Sequence, residues 1–357
     1  MTDSLDIARR SIAGAQRIAS PRLSLSGLGL DTLPEEIAEL VDLAELDLSS
    51  NQLSSLPESL RSLKRLSVLR ISKNHLTELP KWLNELKQLT KLYVEQNELS
   101  SLPVSIGALR RLRTLEVQNN KIEYFPHSFG DLSSLRYLFV ANNKLDELPD
   151  SIGSLSALEQ VQAQDNRLST LPDSFADLRN LCNLYLGGNQ FREFPLPVCG
   201  LGSLAKLDLA HNRIETMPDV LRRVYRLEWL DLSHNYLASL SDGISRCRLL
   251  SHLNLSYNLL TELPEHLSRL AALTHLDLRH NRLKQLPYSI GTLSNLVELG
   301  LEYNSLESIP ASFNRLPPQL QVSLRGNPMV RGKTHSTTGL PPRIFSVRLP
   351  RTSDDEK

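Results

Sequence analysis

Apolar residues along the chain follow one pattern that restarts every 23 positions. Asparagine stands at 51, 74, 97, 120, 143, 166, 189, 212, 235, 258, 281, 304 and 327, with no insertion or deletion between neighbours. Around each Asn the order is LxxLxLxxNxL, as in Leu227, Leu230, Leu232, Asn235 and Leu237. The alternating Leu-x-Leu step predicts a short strand whose side chains point in turn into a core and out to one face. A helical-looking apolar series follows, as in Leu286, Pro287, Ile290 and Leu293. Proline stands six residues after the Asn at eleven of the twelve places from Pro57 to Pro310, Ser241 being the exception, and fixes φ where a short helix or 3₁₀ turn begins. A degenerate copy starts at Leu23, with Leu28 where the Asn belongs.

Self-similarity at this period predicts stacked repeats whose strands pair in parallel. The Asn carboxamide is expected to bond the backbone groups of the turn it occupies, because an unpartnered buried amide costs roughly 1–3 kcal/mol. The Asn ladder is therefore structural rather than catalytic. The pattern resembles the leucine-rich repeat. Its 23-residue form, with LPxxIxxLxxLxxL in the second half, is similar to the intracellular class of Ras-group scaffolds and of the repeat arrays in Roco proteins. The resemblance covers residues 23–329 and implies an α/β fold. That fold is a curved right-handed solenoid of about fourteen repeats, with a parallel sheet on the concave face and short helices or 3₁₀ turns on the convex side. No attached GTPase domain is expected, and the clients implied are a small GTPase or a phosphatase complex.

Residues 1–22 are expected to form a capping helix with Leu5, Ala8, Ile12, Ala15 and Ala19 on one face and Thr2, Asp3 or Ser4 as N-cap. Such a cap closes the sheet edge and apolar core that a terminal repeat leaves open. Residues 330–357 are expected to be a C-terminal cap or flexible tail, in which Ile344 to Leu349 alternates like a strand.

Composition narrows the function classes. Leucine supplies about half of the 40% hydrophobic content and aromatics only 5%, so one repetitive core uses most of the apolar residues. Forty basic and forty acidic residues cancel, which provides no global field for nucleic acid or an anionic membrane. The leucines are too dispersed for an eighteen-residue apolar span, and the N-terminus lacks the pattern of a secretory signal. Cys182, Cys199 and Cys247 fit neither a disulfide framework nor a zinc signature. A cytoplasmic location follows as the expectation.

Function is then sought in the outward strand positions, four and six residues before each Asn. The four-before column holds Arg70, Tyr93, Glu116, Phe139, Gln162, Tyr185, Asp208, Asp231 and Asp277, and the six-before column adds Tyr137 and Trp229. Phe125, Phe129, Phe175, Phe191, Phe194 and Phe313 fall at inward positions, whereas Phe139 falls outward beside the tyrosines. Aligned aromatics in a polar rim have the composition of a binding hot spot. At ~4.8 Å per strand, Tyr93 to Tyr185 spans about 19 Å, the scale of a protein segment.

Farther along, the surface becomes acidic and histidine-rich, with His211, His234, His252, His275 and His280. His252 and His275 share a column, but no second shell is evident for a metal. A pH-sensitive contact is the better use of these rings. A Cys182, His211, Asp208 set lacks an oxyanion site on a flat sheet. Gly332-Lys333-Thr334 lacks the first glycine of a phosphate loop, since position 327 is Asn. No enzyme activity, cofactor or metal is expected. The expectation is a protein recognition or scaffold module in intracellular signalling, with Tyr93, Tyr137, Phe139, Tyr185 and Trp229 supplying affinity and the charged residues selecting the partner. The alternatives are a bacterial effector or host-facing factor delivered by a non-Sec route, and a sensor of a non-protein ligand.

Overall fold

A computed structural model describes residues 4–219, 221 and 224–330. The chain divides into two compact units, Met1–Gln190 with Pro195–Leu204, and Phe191–Phe194 with Ala205–Lys357. The stretches 1–3 and 331–357 are outside the described residues, and with them fall the N-cap candidates Thr2 and Asp3, the strand-like run 344–349 and the Gly332-Lys333-Thr334 string.

The first unit opens with helix α1, Ser4–Arg17, which buries Ala8, Ile12 and Ala15 against the first strand and the turn at Glu35–Glu39. Exposed polar groups fasten its rim, Gln16 Nε2 donating to Glu39 Oε2 at 2.9 Å and Arg9 lying 3.4 Å from Glu36. Ala19 departs from the expected helical face. The helix has ended by then, and Ala19 is exposed with φ +48°, turning the chain into the first strand.

Eight three-residue strands follow in this unit: β1 Arg22–Ser24, β2 Glu45–Asp47, β3 Val68–Arg70, β4 Lys91–Tyr93, β5 Thr114–Glu116, β6 Tyr137–Phe139, β7 Gln160–Gln162 and β8 Asn183–Tyr185. Each pairs in parallel with the next in chain order, and the register never slips: Leu46 faces Leu69, which faces Leu92, then Leu115 and Leu138. The second unit repeats the arrangement with β9 Lys206–Asp208, β10 Trp229–Asp231, β11 His252–Asn254, β12 His275–Asp277, β13 Glu298–Gly300 and β14 Gln321–Ser323. The α/β solenoid with a parallel sheet is thus the fold of each unit.

Between strands the chain forms five-residue 3₁₀ turns such as Glu58–Ser62 and Asp150–Ser154. Apolar residues here recur every third position, and side chains three apart eclipse one another in a 3₁₀ helix, so this geometry puts Leu60, Leu63 and Leu66 on one inward line. The bonds run accordingly, from the N–H of Leu63 to the carbonyl of Leu60 at 3.1 Å and from Leu66 to Leu63 at 3.0 Å. Proline precedes these turns with φ near its own preferred value, −68° at Pro57. At the exception, Ser241 keeps the same backbone, φ −67°, and its hydroxyl accepts the Gly243 N–H at 3.0 Å, replacing ring stiffness by a side-chain cap. Neighbouring turns pack closely enough that a Cβ on Gly130 would collide with the carbonyl of Ser151.

The Asn ladder does more than close its own turn. Asn143 Nδ2 donates to Val140 in its own repeat and to Val117 in the preceding one, both at 3.0 Å, while its Oδ1 accepts the N–H of Ile122 at 2.9 Å. The same contacts recur from Asn51 to Asn189 and from Asn235 to Asn327, with each carboxamide buried. Asn143→Ala should therefore orphan groups in two repeats and lower stability by roughly 2–3 kcal/mol in urea unfolding. Leu230→Asp, which buries a charge at a position 1% exposed, should remove hydrogen-exchange protection from β9 to β11.

Candidate protein-binding face

The register places every outward candidate on one side of its unit's sheet. In the first unit Arg70, Tyr93, Glu116, Phe139, Gln162 and Tyr185 are successive strand partners in one column, and Tyr137 stands in the neighbouring column between Thr114 and Gln160. All are half-buried. The Arg70 guanidinium lies 4.9 Å from the centre of the Tyr93 ring and 4.0 Å from Glu45. Tyr137 donates its hydroxyl to Glu159 Oε2 at 3.0 Å, and Arg136 is paired with the same carboxylate.

Burial pushes the Glu116 carboxyl above the usual carboxylate range; Gln118, which donates to it at 3.2 Å, opposes that rise and the nearby Glu95 adds to it. Tyr93 is also raised, mainly by burial and then by Glu116. The inward phenylalanines named from the repeat phase are all buried, and Phe125 stacks on Phe129 at 4.3 Å.

In the second unit Asp208, Asp231, Asn254 and Asp277 form the corresponding column, with Trp229 between Lys206 and His252 in the next one. Asp231 accepts the Ser233 N–H at 2.8 Å and the Asn254 amide at 2.9 Å, and Asp277 holds Arg279 through a fork of bonds. Trp229, Asp231, His252, His275, Asp277 and Glu298 line a cleft of ≈ 180 Å³. His252 and His275 stack at 4.2 Å. The Ser251 and Thr274 hydroxyls lie within bonding distance of the Glu228 and Ser251 carbonyls and stand 2.8 and 2.9 Å from the two Nδ1 atoms. Among the described residues no group of three His, Cys, Asp or Glu is placed to hold a metal. Cys182 donates to the Asn180 carbonyl at 3.3 Å, and burial pushes the Cys199 thiol up to about 11.

One element was missed in the sequence. The residue before each Asn has left-handed backbone, with φ between 53° and 57° from Ser50 to Tyr303 wherever it is not glycine. That conformation lets its N–H reach a carbonyl of the following repeat, as Lys73 does to Glu95 at 2.9 Å. It also aligns the side chains. His211, His234, Tyr257, His280 and Tyr303 form a continuous stack with ring centres 4.0–4.4 Å apart, ended by the Arg325 guanidinium 5.8 Å from Tyr303. Rings recurring immediately before the Asn were the available signal. His211, His234 and His280 therefore belong to a turn-side ladder, separate from the strand column of aspartates.

The comparisons agree with this architecture. Leucine-rich-repeat profiles match residues 42–63, 86–165, 126–233 and 225–283. A leucine-rich-repeat protein of Leptospira interrogans is 31% identical over 88% of this chain and 93% of its own, with a TM-score of 0.61. YopM, a leucine-rich effector protein from Yersinia pestis, is 27% identical over 91% of this chain and 84% of its own, TM-score 0.69. The plant peptide hormone receptor RGFR1, solved in complex with RGF2, is 29% identical over 87% of this chain and 60% of its own, TM-score 0.71. No curated protein matches the chain at comparable significance. The chain belongs to the leucine-rich-repeat family. Among the described residues no helix is long and apolar enough to cross a membrane.

Packing lowers the proton affinity of two histidines in the second unit. Burial comes first for both. His211 and His280 add to it at His234 against Asp231, and His275 and Lys206 add to it at His252 against Glu298. The folded state thus prefers these rings neutral. Their contribution is intact above the ordinary imidazole value of 6.5 and is lost as pH falls below it towards the folded-state values. Urea unfolding at pH 7.5 and 5.5, both about a unit from that value, should show an acid loss of stability that is smaller in a His234→Gln, His252→Gln variant.

Proposed function

We propose that the chain is a non-enzymatic recognition protein that holds an extended segment of a partner protein across its strand face, and that it belongs with delivered or host-facing bacterial factors. The observation that supports binding is the contrast between columns. Inward strand positions are almost uniformly leucine, whereas the outward column of the first unit changes at every step from Arg70 through Tyr93, Glu116, Phe139 and Gln162 to Tyr185. Half-buried aromatics within a polar surround anchor partners, and the charges beside them select orientation. Asp208, Trp229, Asp231 and Asp277 give the second unit an acidic counterpart.

The likeness to the Leptospira protein and to the Yersinia effector over most of both chains supports the host-facing reading. A place in intracellular signalling, with a small GTPase or phosphatase client, is the finer reading carried by the Ras-group and Roco resemblance. The likeness to RGFR1 in complex with RGF2 favours a peptide as a second class of occupant. The proposal includes a division into an end-capping helix over 1–22, a repeat body over 23–329 and a C-terminal extension over 330–357, and folding in a cytoplasm that keeps Cys182 and Cys199 reduced.

An affinity pulldown should compare the wild type with Tyr137→Ala, Phe139→Ala, Tyr185→Ala. Loss of the captured partners with an unchanged circular-dichroism melt is the expected result. Capture of the same partners by the variant would overturn the strand-face reading.

A further inference from the structure

The outward surface of β4–β7 has a second column two residues before each Asn: Glu95, Gln118, Ala141 and Gln164. Three of these carry an acceptor oxygen that is buried and accepts no hydrogen bond, namely Glu95 Oε2, Gln118 Oε1 and Gln164 Oε1. The orientation of Gln118 is set by its own donor group, which is used on Glu116 at 3.2 Å, so its oxygen faces away with nothing to receive. Buried acceptors without donors are costly, and three of the four side chains in this column hold one. Two carboxylates on adjacent repeats, Glu95 and Glu116, add a demand for positive charge at the same place.

The walls of this place are aromatic. Tyr93 and Phe139 are the strand partners on either side of Glu116. Ala141, a single carbon between the longer Gln118 and Gln164, leaves the column open beside Phe139. One strand earlier, the chain's own Arg70 already rests its guanidinium on the other side of this patch, 4.9 Å from the Tyr93 ring centre. A planar cation with five donors satisfies these groups better than an ammonium, which has three donors, holds its water more tightly and does not stack. Guanidinium on an aromatic face beside carboxylates also gains from the ring quadrupole.

We infer that β4–β6 form a docking slot for an arginine side chain presented by the partner protein, its guanidinium entering over Ala141 against Phe139 and donating to Glu116, with the Glu95 and Gln118 side chains turning outward so that their oxygens accept from it. This rests on the strand-face reading above and supplies its chemistry: the bound segment is extended and carries arginine where it crosses β5.

Isothermal titration of the full chain with hexa-arginine, hexa-lysine and hexa-citrulline peptides tests it. Hexa-arginine should bind, hexa-lysine about ten-fold more weakly, and hexa-citrulline, which keeps the shape and loses the charge, not at all. Glu95→Gln with Glu116→Gln should weaken hexa-arginine about ten-fold. Ala141→Gln should do the same by filling the gap with the residue that the adjacent repeats carry there. Both variants should melt no lower than wild type, since the first removes repulsion and the second copies a neighbour. Glu58→Gln with Glu85→Gln, ion-paired carboxylates on the turn side, should leave binding unchanged. Wild-type affinity in the Glu95, Glu116 variant, equal binding of hexa-lysine, or equal weakening by the Glu58, Glu85 pair would each overturn the slot. If the Tyr137, Phe139, Tyr185 variant loses its partners while Glu95→Gln with Glu116→Gln binds hexa-arginine normally, the arginine slot alone fails.

Discussion

The buried asparagine carboxamide is the interaction on which the rest of this structure depends. A strand of three residues makes too few ladder bonds to hold itself, and the sharp turn after it leaves backbone groups pointing into an apolar core. One amide answers both problems. Its two hydrogens satisfy carbonyls in two successive repeats and its oxygen satisfies an N–H in the earlier one, so the same side chain ends a turn and joins it to its neighbour. Aspartate has no hydrogens to donate and leucine has neither function, which fits the recurrence of Asn in every copy from Asn51 to Asn327 while the leucines around it are exchanged for Ile, Val, Phe or Ala.

Uniform geometry inside has a consequence outside. Because the register does not slip within either unit, residues 23 apart become neighbours at the strand spacing, and any side-chain type repeated at a given offset becomes a column. The strand column of the first unit mixes aromatics, charges and amides. That of the second is largely acidic, and its turn-side ladder is a run of stacked imidazole and phenol rings. A neutral chain is therefore an average over surfaces with different chemistry, each long enough for a stretch of polypeptide. Kinship with effector and receptor proteins agrees with a chain whose informative residues are outward on a fixed scaffold.

Polar satisfaction separates the two sides of the molecule. Inside, every ladder amide is matched. On the strand face, Glu95, Gln118 and Gln164 keep oxygens that are buried without donors. Nearby donors are already engaged, the Gln118 amide hydrogens being turned towards Glu116 and Arg70 being committed to Tyr93 and Glu45. Unmet hydrogen-bonding capacity on an exposed face is where recognition energy is available without cost to the fold.

The sequence by itself determined the repeat, the inward and outward assignment of each strand residue, and the structural rather than catalytic role of Asn, because each follows from a strict period acting on side-chain direction. Tyr93, Glu116 and Phe139 could be placed side by side from offsets alone. Tertiary structure decided what offsets cannot carry. The turns are 3₁₀ because apolar residues three apart must eclipse against the preceding repeat. Ala19 leaves the helix because the chain has to turn into β1. His211, His234, Tyr257, His280 and Tyr303 stack because the residue before each Asn takes a left-handed backbone that no local propensity of histidine or tyrosine foretells. The orphaned oxygens of Glu95 and Gln118 are likewise a property of packing: whether an amide finds a donor depends on side chains 23 residues away, and a linear chain does not show which way they point.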